Sequence, residues 1–265
     1  GRLEMDFGSQ GMYHIGLKPE QGAAYALLTG DPGRVEAVAS RLEEPAFVCA
    51  NREYTTWVGR LQGERVLAIS HGIGGPSTAI CVEELCRCGV KTMIRVGTCG
   101  GMRLDVLGGD LVVATAAIRQ EGTSREYLPV EFPAAADFAV TSALMEAAAG
   151  LGKKAHAGVV HCKDSFYGQH SPETSPVAAR LREQWEAWKR GGCLASEMES
   201  AALFILAAAR GLRAGCVLEV LWNQEREAAG LENPRAAGTG DAIDTAAAAL
   251  ALLIAADQKR GEARG

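Results

Sequence analysis

The stretch AYALLTGDPGR, residues 24–34, joins an apolar, strand-like run to a turn that opens a helix. Residues 24–29 are mostly apolar, and residues 30–33 are the glycine, aspartate and proline that tight turns prefer. From residue 34 to residue 42 the apolar side chains recur at the spacing of a helix. A strand that passes through a short turn into a helix predicts an α/β fold.

The same alternation of strand-like runs and helical patterns continues along the chain. Further strands are predicted at residues 66–70, 92–96, 111–118 and 157–161, and further helices at residues 77–88, 142–151, 177–189, 197–210 and 241–257. Residues 53–61 and 66–70 flank Gln62 and Gly63, which predicts a β-hairpin and raises the question of a mixed sheet. Residues 227–241 are expected to form an ordered surface loop or lid. No repeat or flexible linker divides the chain, so one domain is expected.

The composition suits one large core and disfavours several classes of function. With 265 residues, of which 48% are hydrophobic, the chain can bury a core without disulfides or metal. The net charge is −5 and the basic residues are dispersed, so binding to nucleic acid or to a membrane is not expected. The chain shows neither a membrane-spanning run nor a signal-peptide pattern, so a cytoplasmic protein is expected.

The N-terminal segment and the cysteines set two further expectations. Residues 1–11 contain several glycines and no periodicity, so they are expected to be a flexible segment or a remnant of an expression vector, with the folded domain at residues 12–265. The eight cysteines include no CxxC pair. Buried, reduced thiols are therefore expected, in preference to zinc ligands or disulfides.

Two arginines follow predicted strands at points where an anion could bind. Arg34 closes the turn at residues 30–34, where backbone N–H groups could hold a phosphate, although such a turn taken alone is more often a plain turn with a solvated arginine. Arg95 lies in a buried strand just before Gly97 and Thr98. It needs an anionic partner, which could be a carboxylate or a bound phosphate. Ligands gather at the carboxyl ends of such strands, so both segments are candidates for one site.

Two later segments carry groups that suit a sugar and a base. Glu197, Met198 and Glu199 are predicted at the start of an apolar helix, with Ser196 available as its cap. The acids could complement the helix dipole or accept hydrogen bonds from sugar hydroxyls. In the FYGQH segment at residues 166–170, Gln169 could pair with a base edge and an aromatic ring could stack on it, or the rings could pack under a loop.

Taken together and in this order, six segments resemble the uridine phosphorylase branch of the nucleoside phosphorylase family, from about Tyr13 to the C-terminal helix. The segments are YHIGL (13–17), GDPGR (30–34), NREYTTW (51–57), HGIGGPST (71–78), RVGTCG (95–100) and EMESAAL (197–203). The resemblance implies a single-domain, three-layer α/β/α fold with a central mixed, partly barrel-like sheet flanked by helices.

The resemblance also implies a role for many individual residues. The implied phosphate ligands are Gly30, Arg34, Arg95, Thr98 and, from a neighbouring subunit, Arg52. The expected ribose ligands are Glu197, Met198, Glu199 and the neighbour's His14. The expected base contacts are Cys99, Gly100, Phe166, Gln169, His170, Asn223 and Arg226. The expected catalytic residues are Arg34, Arg95, Glu199 and His14.

A site shared between subunits implies a homo-oligomer. The family typically forms a hexamer built as a trimer of dimers. Bacterial members can hold a monovalent cation at the dimer interface, so a potassium ion is expected near Glu53, Ile73 and Ser77.

The base-binding segments depart from the pattern of the best-known family members. Those members carry arginines where this chain has Ser171 and Gln224, and Thr174 stands where a related loop could have supplied one. His170 or Arg226 could compensate. The departure leaves open the ranking of uridine against thymidine, deoxyuridine or cytidine. Purine-specific members would place an aspartate where this chain has Asn223, which argues against purines.

The implied reaction is phosphorolysis of a pyrimidine nucleoside to the free base and α-D-ribose 1-phosphate, with inversion at the anomeric carbon. Inorganic phosphate is the co-substrate, and neither a redox cofactor nor a covalent nucleophile is required, so Cys99 is expected to be a wall residue. Alternatives are a hydrolytic nucleosidase, a phosphorylase of another nucleoside and a non-catalytic nucleoside-binding homologue. Dinucleotide binding by the HGIGG turn at residues 71–75 is disfavoured, because its glycine spacing is not GxGxxG.

Overall fold

The computed structural model describes residues 11–262, so the expectation for the N-terminal segment falls almost wholly outside the described residues. The strands are β1 (Tyr25–Thr29), β2 (Glu43–Asn51), β3 (Tyr54–Leu61), β4 (Glu64–Ser70), β5 (Thr92–Gly101), β6 (Leu111–Gln120), β7 (Ala134–Ala135), β8 (Ala155–Lys163), β9 (Ala195–Glu197) and β10 (Arg213–Asn223). The helices are α1 (Val35–Ala39), α2 (Gly74–Arg87), α3 (Phe138–Gly150), α4 (Phe166–His170), α5 (Ala178–Arg190), α6 (Ser200–Arg210), α7 (Gln224–Ala228) and α8 (Gly240–Glu262).

All described strands belong to one mixed sheet. Its order is β10-β6-β8-β9-β5-β1-β4-β3-β2, with β7 paired to β6. Strand β10 also pairs in parallel with β5, so β5, β9, β8, β6 and β10 close into a five-strand circuit. The expected mixed, partly barrel-like sheet is confirmed.

Helices cover both faces of the sheet, as the three-layer expectation requires. Helices α2 and α6 pack on one face through side chains such as Leu85 and Phe204. Helices α1, α3 and α8 pack on the other face through side chains such as Leu144 and Leu250. Strand β1 is buried throughout and sends alternate side chains into the two cores, Leu28 into the first and Leu27 into the second.

The predicted hairpin is present as β3 and β4, which pair antiparallel. Gln62 and Gly63 both have positive φ angles, 51° and 77°. Positive φ at both central residues is the signature of the two-residue hairpin turn whose twist matches the flanking strands.

Near the site, the sequence patterns gave the wrong bounds or the wrong type for some elements, and they missed others. The helix predicted at residues 197–210 begins at Ser200, because Glu197 lies in β9 and its carboxylate accepts the backbone N–H groups of Glu199 and Ser200. The prediction that Ser196 caps this helix is therefore wrong. Residues 166–170, expected as a loop, form the short helix α4, whose first turn is capped by the side chain of Ser165. Strands β2 and β10 were not among the predicted elements, since β2 is largely exposed and β10 mixes charged residues with apolar ones.

Three other expectations concern a surface loop, the cysteines and membrane-spanning helices. Residues 229–239 run as a loop between α7 and α8. All eight cysteines are unpaired thiols, and six of them are buried. Within residues 11–262, no helix combines the length and apolar character needed to cross a bilayer.

Candidate active site

A cavity of about 730 Å³ lies where β1, β5, β8, β9 and β10 end. Carboxyl ends of strands are the usual place for ligands in α/β proteins. The cavity brings together many of the residues singled out from sequence: Gly30, Arg34, Glu53, Ile73, Ser77, Arg95, Thr98, Cys99, Gly100, Phe166, Gln169, His170, Glu197, Met198 and Glu199.

Arg95 is buried in the wall of this cavity and is held by carboxylates. Its Nη2 lies 3.2 Å from Glu197 Oε2 and 2.9 Å from Glu199 Oε1. Its Nη1 lies 3.2 Å from Nε2 of His71. The Nε of Arg95 is a buried donor without a hydrogen-bond partner among the described residues. Arg95 therefore combines the ion pair that the sequence left open with one buried N–H that has no partner among the described residues.

Gly97 leaves room for that guanidinium. A Cβ at residue 97 would lie 2.4 Å from Nη1 of Arg95, so a side chain there would displace the guanidinium from its two carboxylates. The glycine thus admits the arginine over the main chain of β5.

His71 is fully buried behind Arg95, and the sequence analysis treated it only as part of a motif. Burial, followed by the positive charge of Arg95, lowers the pKa of His71 to about 3, so its ring is neutral. Its Nδ1 lies 2.8 Å from the carbonyl oxygen of Gly72. A carbonyl can only accept, so Nδ1 carries the proton and Nε2 accepts from Arg95. The available signal was a histidine directly after the apolar run at residues 66–70.

The two glutamates differ in their environment. Glu197 accepts hydrogen bonds from the backbone N–H groups of Glu199 and Ser200 and from the Ser200 hydroxyl. Burial would raise the pKa of Glu197, but the charge of Arg95 and these hydrogen bonds lower it below the usual value. Glu199 accepts only one backbone hydrogen bond in its surroundings, from Gly74 at 2.9 Å. Burial and the charge of Glu197 raise the pKa of Glu199 despite Arg95. The carboxylate of Glu197 thus accepts the hydrogen bonds that start α6, whereas the carboxylate of Glu199 can accept further hydrogen bonds from a ligand.

The turn after β1 forms one end of the cavity. Asp31 caps this turn by accepting the N–H of Gly33 at 2.8 Å. Gly30, Arg34 and Thr98 line the cavity beside it. No carboxylate of the described residues lies within ion-pair distance of Arg34, so its charge is available to an anion.

A polar network forms the opposite end of the cavity. Ser196 Oγ lies 2.8 Å from Gln169 Oε1, 3.0 Å from Lys163 Nζ and 2.9 Å from His161 Nδ1. Gln169 Nε2 donates to Gln224 Oε1 at 3.0 Å. Each end of the Gln169 amide retains one unused hydrogen-bonding position for a ligand. The sequence analysis missed Lys163, which gave no local signal, and it named Ser196 only as a helix cap.

Two residues expected at the base face away from this cavity. Asn223 is buried, and its side-chain amide donates to the carbonyl oxygens of Arg103 and Val106 at 2.8 and 2.9 Å. Arg226 donates to the carbonyl oxygen of Leu104 at 2.7 Å. Both side chains thus hold neighbouring loops together, and neither lines the cavity.

Two more side chains complete the base end. Cys99 is buried in the wall, and burial raises the pKa of its thiol well above the usual value, which keeps it protonated. Trp222 lines the cavity, whereas Ser171 does not.

His14 and Arg52 lie together outside the cavity of their own chain. Nδ1 of His14 lies 2.9 Å from Glu84, and Asn51 donates to the carbonyl oxygen of His14 at 2.7 Å. The Arg52 guanidinium lies 5.8 Å from the ring centroid of Tyr13. The two expected neighbour-derived residues therefore share one patch.

The expected cation residues lie at the rim of the cavity. Ser77 Oγ lies 2.9 Å from Glu53 Oε1 and 2.6 Å from the carbonyl oxygen of His71. Hydrogen bonding, first from its own backbone and then from the Ser77 hydroxyl, outweighs burial and lowers the pKa of Glu53. The described residues contain no cluster of three or more His, Cys, Asp or Glu that could hold a metal ion.

A comparison with models of known protein families identifies the class of protein to which this fold and cavity belong. The family model of the phosphorylase superfamily matches residues 24–256, and the chain belongs to this superfamily.

The relatives within the superfamily are closely similar along most of their length. The chain is 52% identical to a uridine phosphorylase of Treponema pallidum (strain Nichols) over 258 residues, 97% of this chain and 100% of that protein. It is 42% identical to a uridine phosphorylase of Escherichia coli (strain K12) over 221 residues, 82% of this chain and 87% of that protein. It is 40% identical to a guanosine phosphorylase of Halorubrum lacusprofundi over 206 residues, 77% of this chain and 81% of that protein.

Proposed function

We propose that this chain is a pentosyltransferase that splits uridine with inorganic phosphate into uracil and α-D-ribose 1-phosphate. Uridine phosphorylases at 42% and 52% identity support the reaction. Deoxyuridine and thymidine are further candidate substrates. The proposed substrates support a role in pyrimidine salvage or catabolism.

The observation that carries this proposal is the order of charges along one cavity, which follows the order β1, β5, β9, β8 of the strand ends in the sheet. Arg34, Arg95 and Thr98 gather cationic and donor groups at one end, which suits a phosphate dianion. Glu199 occupies the middle, where its carboxylate can accept hydrogen bonds from ribose hydroxyls. Gln169 stands at the far end, where its amide can pair with the edge of a pyrimidine. A nucleoside and a phosphate bound side by side need these groups in this spatial order.

The reaction follows from that order. A phosphate oxygen attacks the anomeric carbon from the face opposite the base, and the bond from that carbon to N1 of the base breaks. The electron pair of the broken bond stays on the departing base. The arginines position the nucleophile and Glu199 orients the sugar, so the protein contributes positioning and electrostatic stabilisation. The buried, protonated thiol of Cys99 supports its role as a wall residue.

We propose that His14 and Arg52 complete the site of a neighbouring subunit. Both lie outside their own cavity and close to one another. The proposed assembly is a hexamer formed as a trimer of dimers. Met198 and Glu197 would line the ribose beside Glu199.

A potassium ion at the dimer interface is part of the same proposal. The carboxylate of Glu53 and the hydroxyl of Ser77 are hard oxygen donors that fit a monovalent cation, and Ile73 could add only its carbonyl oxygen. A bound ion would supply charge that steadies the segment after β4.

The proposed compartment is the cytoplasm. Eight unpaired cysteines support it, because reduced thiols persist in reducing compartments.

The strongest alternative concerns the base. A guanosine phosphorylase is 40% identical to this chain, so superfamily membership leaves the base open. Asn223 faces away from the cavity, so it supplies no proton to a purine there. A hydrolytic nucleosidase is disfavoured because it would not need Arg34 and Arg95 at an anion site.

The deciding experiment measures base release from uridine, deoxyuridine, thymidine, cytidine, inosine and guanosine, each with and without inorganic phosphate. Uracil release that requires phosphate is expected. Phosphate-independent release would instead indicate a nucleosidase. Release only from inosine or guanosine would overturn the pyrimidine assignment, and no release from any of them would favour a non-catalytic binder.

A further inference from the structure

Lys163 ends β8 at the base end of the cavity. Its side chain is buried, and Nζ donates to Ser196 Oγ at 3.0 Å. Lys163 and Gln169 line the active-site cavity and also a second cavity of about 510 Å³. The two side chains therefore form the wall between the cavities, and their polar ends meet at Ser196 Oγ.

The charge of Lys163 lacks a direct partner. No carboxylate of the described residues lies within ion-pair distance of its ammonium group, and Arg95 already pairs with both Glu197 and Glu199. Its neighbour Asp164 is exposed and accepts the backbone N–H of Gly122. Burying an ammonium group with only a hydroxyl partner costs free energy, so an anionic partner is expected to appear during function.

The other titratable groups around Lys163 do not supply that partner. Burial and then the charge of Lys163 lower the pKa of His161 to about 3, and the same two causes lower the pKa of His170. Burial lowers the pKa of Lys163 itself, while Glu197 and Glu199 act in the opposite direction from farther away. The base end of the described cavity thus presents one ammonium group among neutral polar groups.

The arginines that the resemblance places at the base are absent from this chain. Ser171 does not line the cavity, and Gln224 bonds to Gln169. Arg34 and Arg95 stand at the phosphate end. Lys163 is therefore the cation that this chain positions beside the departing base.

We propose that Lys163 is a catalytic residue that stabilises the negative charge on the departing pyrimidine. This inference rests on the proposed function. As the bond to N1 breaks, its electron pair spreads onto the carbonyl oxygens of the base, and the ammonium group donates a hydrogen bond to one of them. No proton needs to transfer in this step, and the released base anion takes its proton from water afterwards.

The test compares leaving groups in wild-type protein and in Lys163→Met. Removing one donor to a developing anion typically lowers kcat by about 100-fold or more, which is the loss expected for uridine. The loss should be several-fold smaller for 5-fluorouridine, because its base carries negative charge more easily. The KM for phosphate should change little, and Lys163→Arg should restore part of the rate. The matched control is Lys154→Met, at a lysine whose side chain is 60% exposed, which should behave as wild type.

A structural role for Lys163 would give a different pattern. Equal losses for both nucleosides, or a parallel rise in the KM for phosphate, would overturn the inference, and so would full activity in Lys163→Met. If that variant does not fold, Lys163→Gln keeps a donor for Ser196 and undergoes the same comparison.

Calorimetry separates this inference from the proposed function. Wild-type protein and Lys163→Gln are titrated with 5-fluorouracil above and below the pKa of that base. Wild-type protein should bind the anion more tightly, and the variant should lose that preference. Absence of phosphorolysis in wild-type protein would refute the proposed function, whereas equal binding of both forms by the wild type would refute the role of Lys163.

Discussion

Glu84 Oε2 lies 2.9 Å from His14 Nδ1, and Glu84 Oε1 accepts the backbone N–H of the same residue at 2.7 Å. Ile15 donates a third hydrogen bond to this buried carboxylate. A carboxylate requires a donor, so the proton of His14 is held on Nδ1 and Nε2 points away from it. Helix α2 thereby fixes both the position and the tautomer of a residue proposed to serve a neighbouring ribose.

Glu84→Gln should test that arrangement. The amide oxygen can still accept the two backbone hydrogen bonds, but the amide nitrogen would face Nδ1 and favour the other tautomer. Loss of a charge-assisted hydrogen bond is worth about 1.5 kcal/mol or more, so kcat/KM for uridine should fall about tenfold. Glu83→Gln is the matched control, since Glu83 pairs with Arg210 instead. Equal activity of both variants would contradict the positioning role.

Mixing two inactive variants should restore activity. His14→Ala and Glu199→Ala each remove one half of the proposed shared ribose site, and a mixed dimer would contain one intact site. Activity is measured after the subunits have exchanged, with exchange followed by mass spectrometry. Exchange without recovered activity would show that one chain supplies both residues.

Arg34→Ala should impair phosphate use while leaving the fold intact. Arg34 is half-buried and forms no ion pair with a described residue, so its loss should change stability by no more than about 0.5 kcal/mol. Loss of a charged contact should raise the KM for phosphate about tenfold or more. Steady-state kinetics with each substrate varied in turn measures this effect. Arg60→Ala, at an exposed arginine, serves as the control. An unchanged KM for phosphate would remove Arg34 from the anion site.

Unlike Arg34→Ala, Arg95→Met should destabilise the fold, because it leaves Glu197 and Glu199 buried without their cation. Breaking such a buried pair typically costs about 3 to 5 kcal/mol of unfolding free energy. Urea denaturation should show this loss together with the loss of phosphorolysis. Full stability with lost activity would mean that the carboxylates become protonated at little cost.

Glu219 on β10 should make stability depend on pH. Burial, followed by the charge of Asp241, raises its pKa from 4.5 to about 7. The folded protein thus binds this proton more tightly, so the contribution of Glu219 to stability is complete below pH 4.5 and is lost as pH rises to 7. The loss is about 3 kcal/mol for a shift of this size. Glu219→Gln should remove this slope from the free energy of unfolding, measured by urea denaturation across that range. The exposed Glu43→Gln should retain the slope, and an unchanged slope in Glu219→Gln would refute the assignment.

The sequence by itself determined the local units of the fold. The turn after residues 24–29 and the hairpin at Gln62 and Gly63 depend on residues adjacent in the chain, whose backbone preferences act over a few positions. The motif segments likewise predicted which strand ends would meet at the cavity, because parallel strands present their carboxyl ends on one edge.

Only the tertiary structure decided which side chains contact one another in the site. Arg95 meets Glu197 across 102 residues of sequence, and Lys163 reaches Ser196 across 33. Closure of the barrel by β10 against β5 turns Asn223 inward to hold two carbonyl groups, so it cannot face the base. Such contacts arise from the packing of distant elements, and local periodicity carries no information about which side chains that packing will bring together.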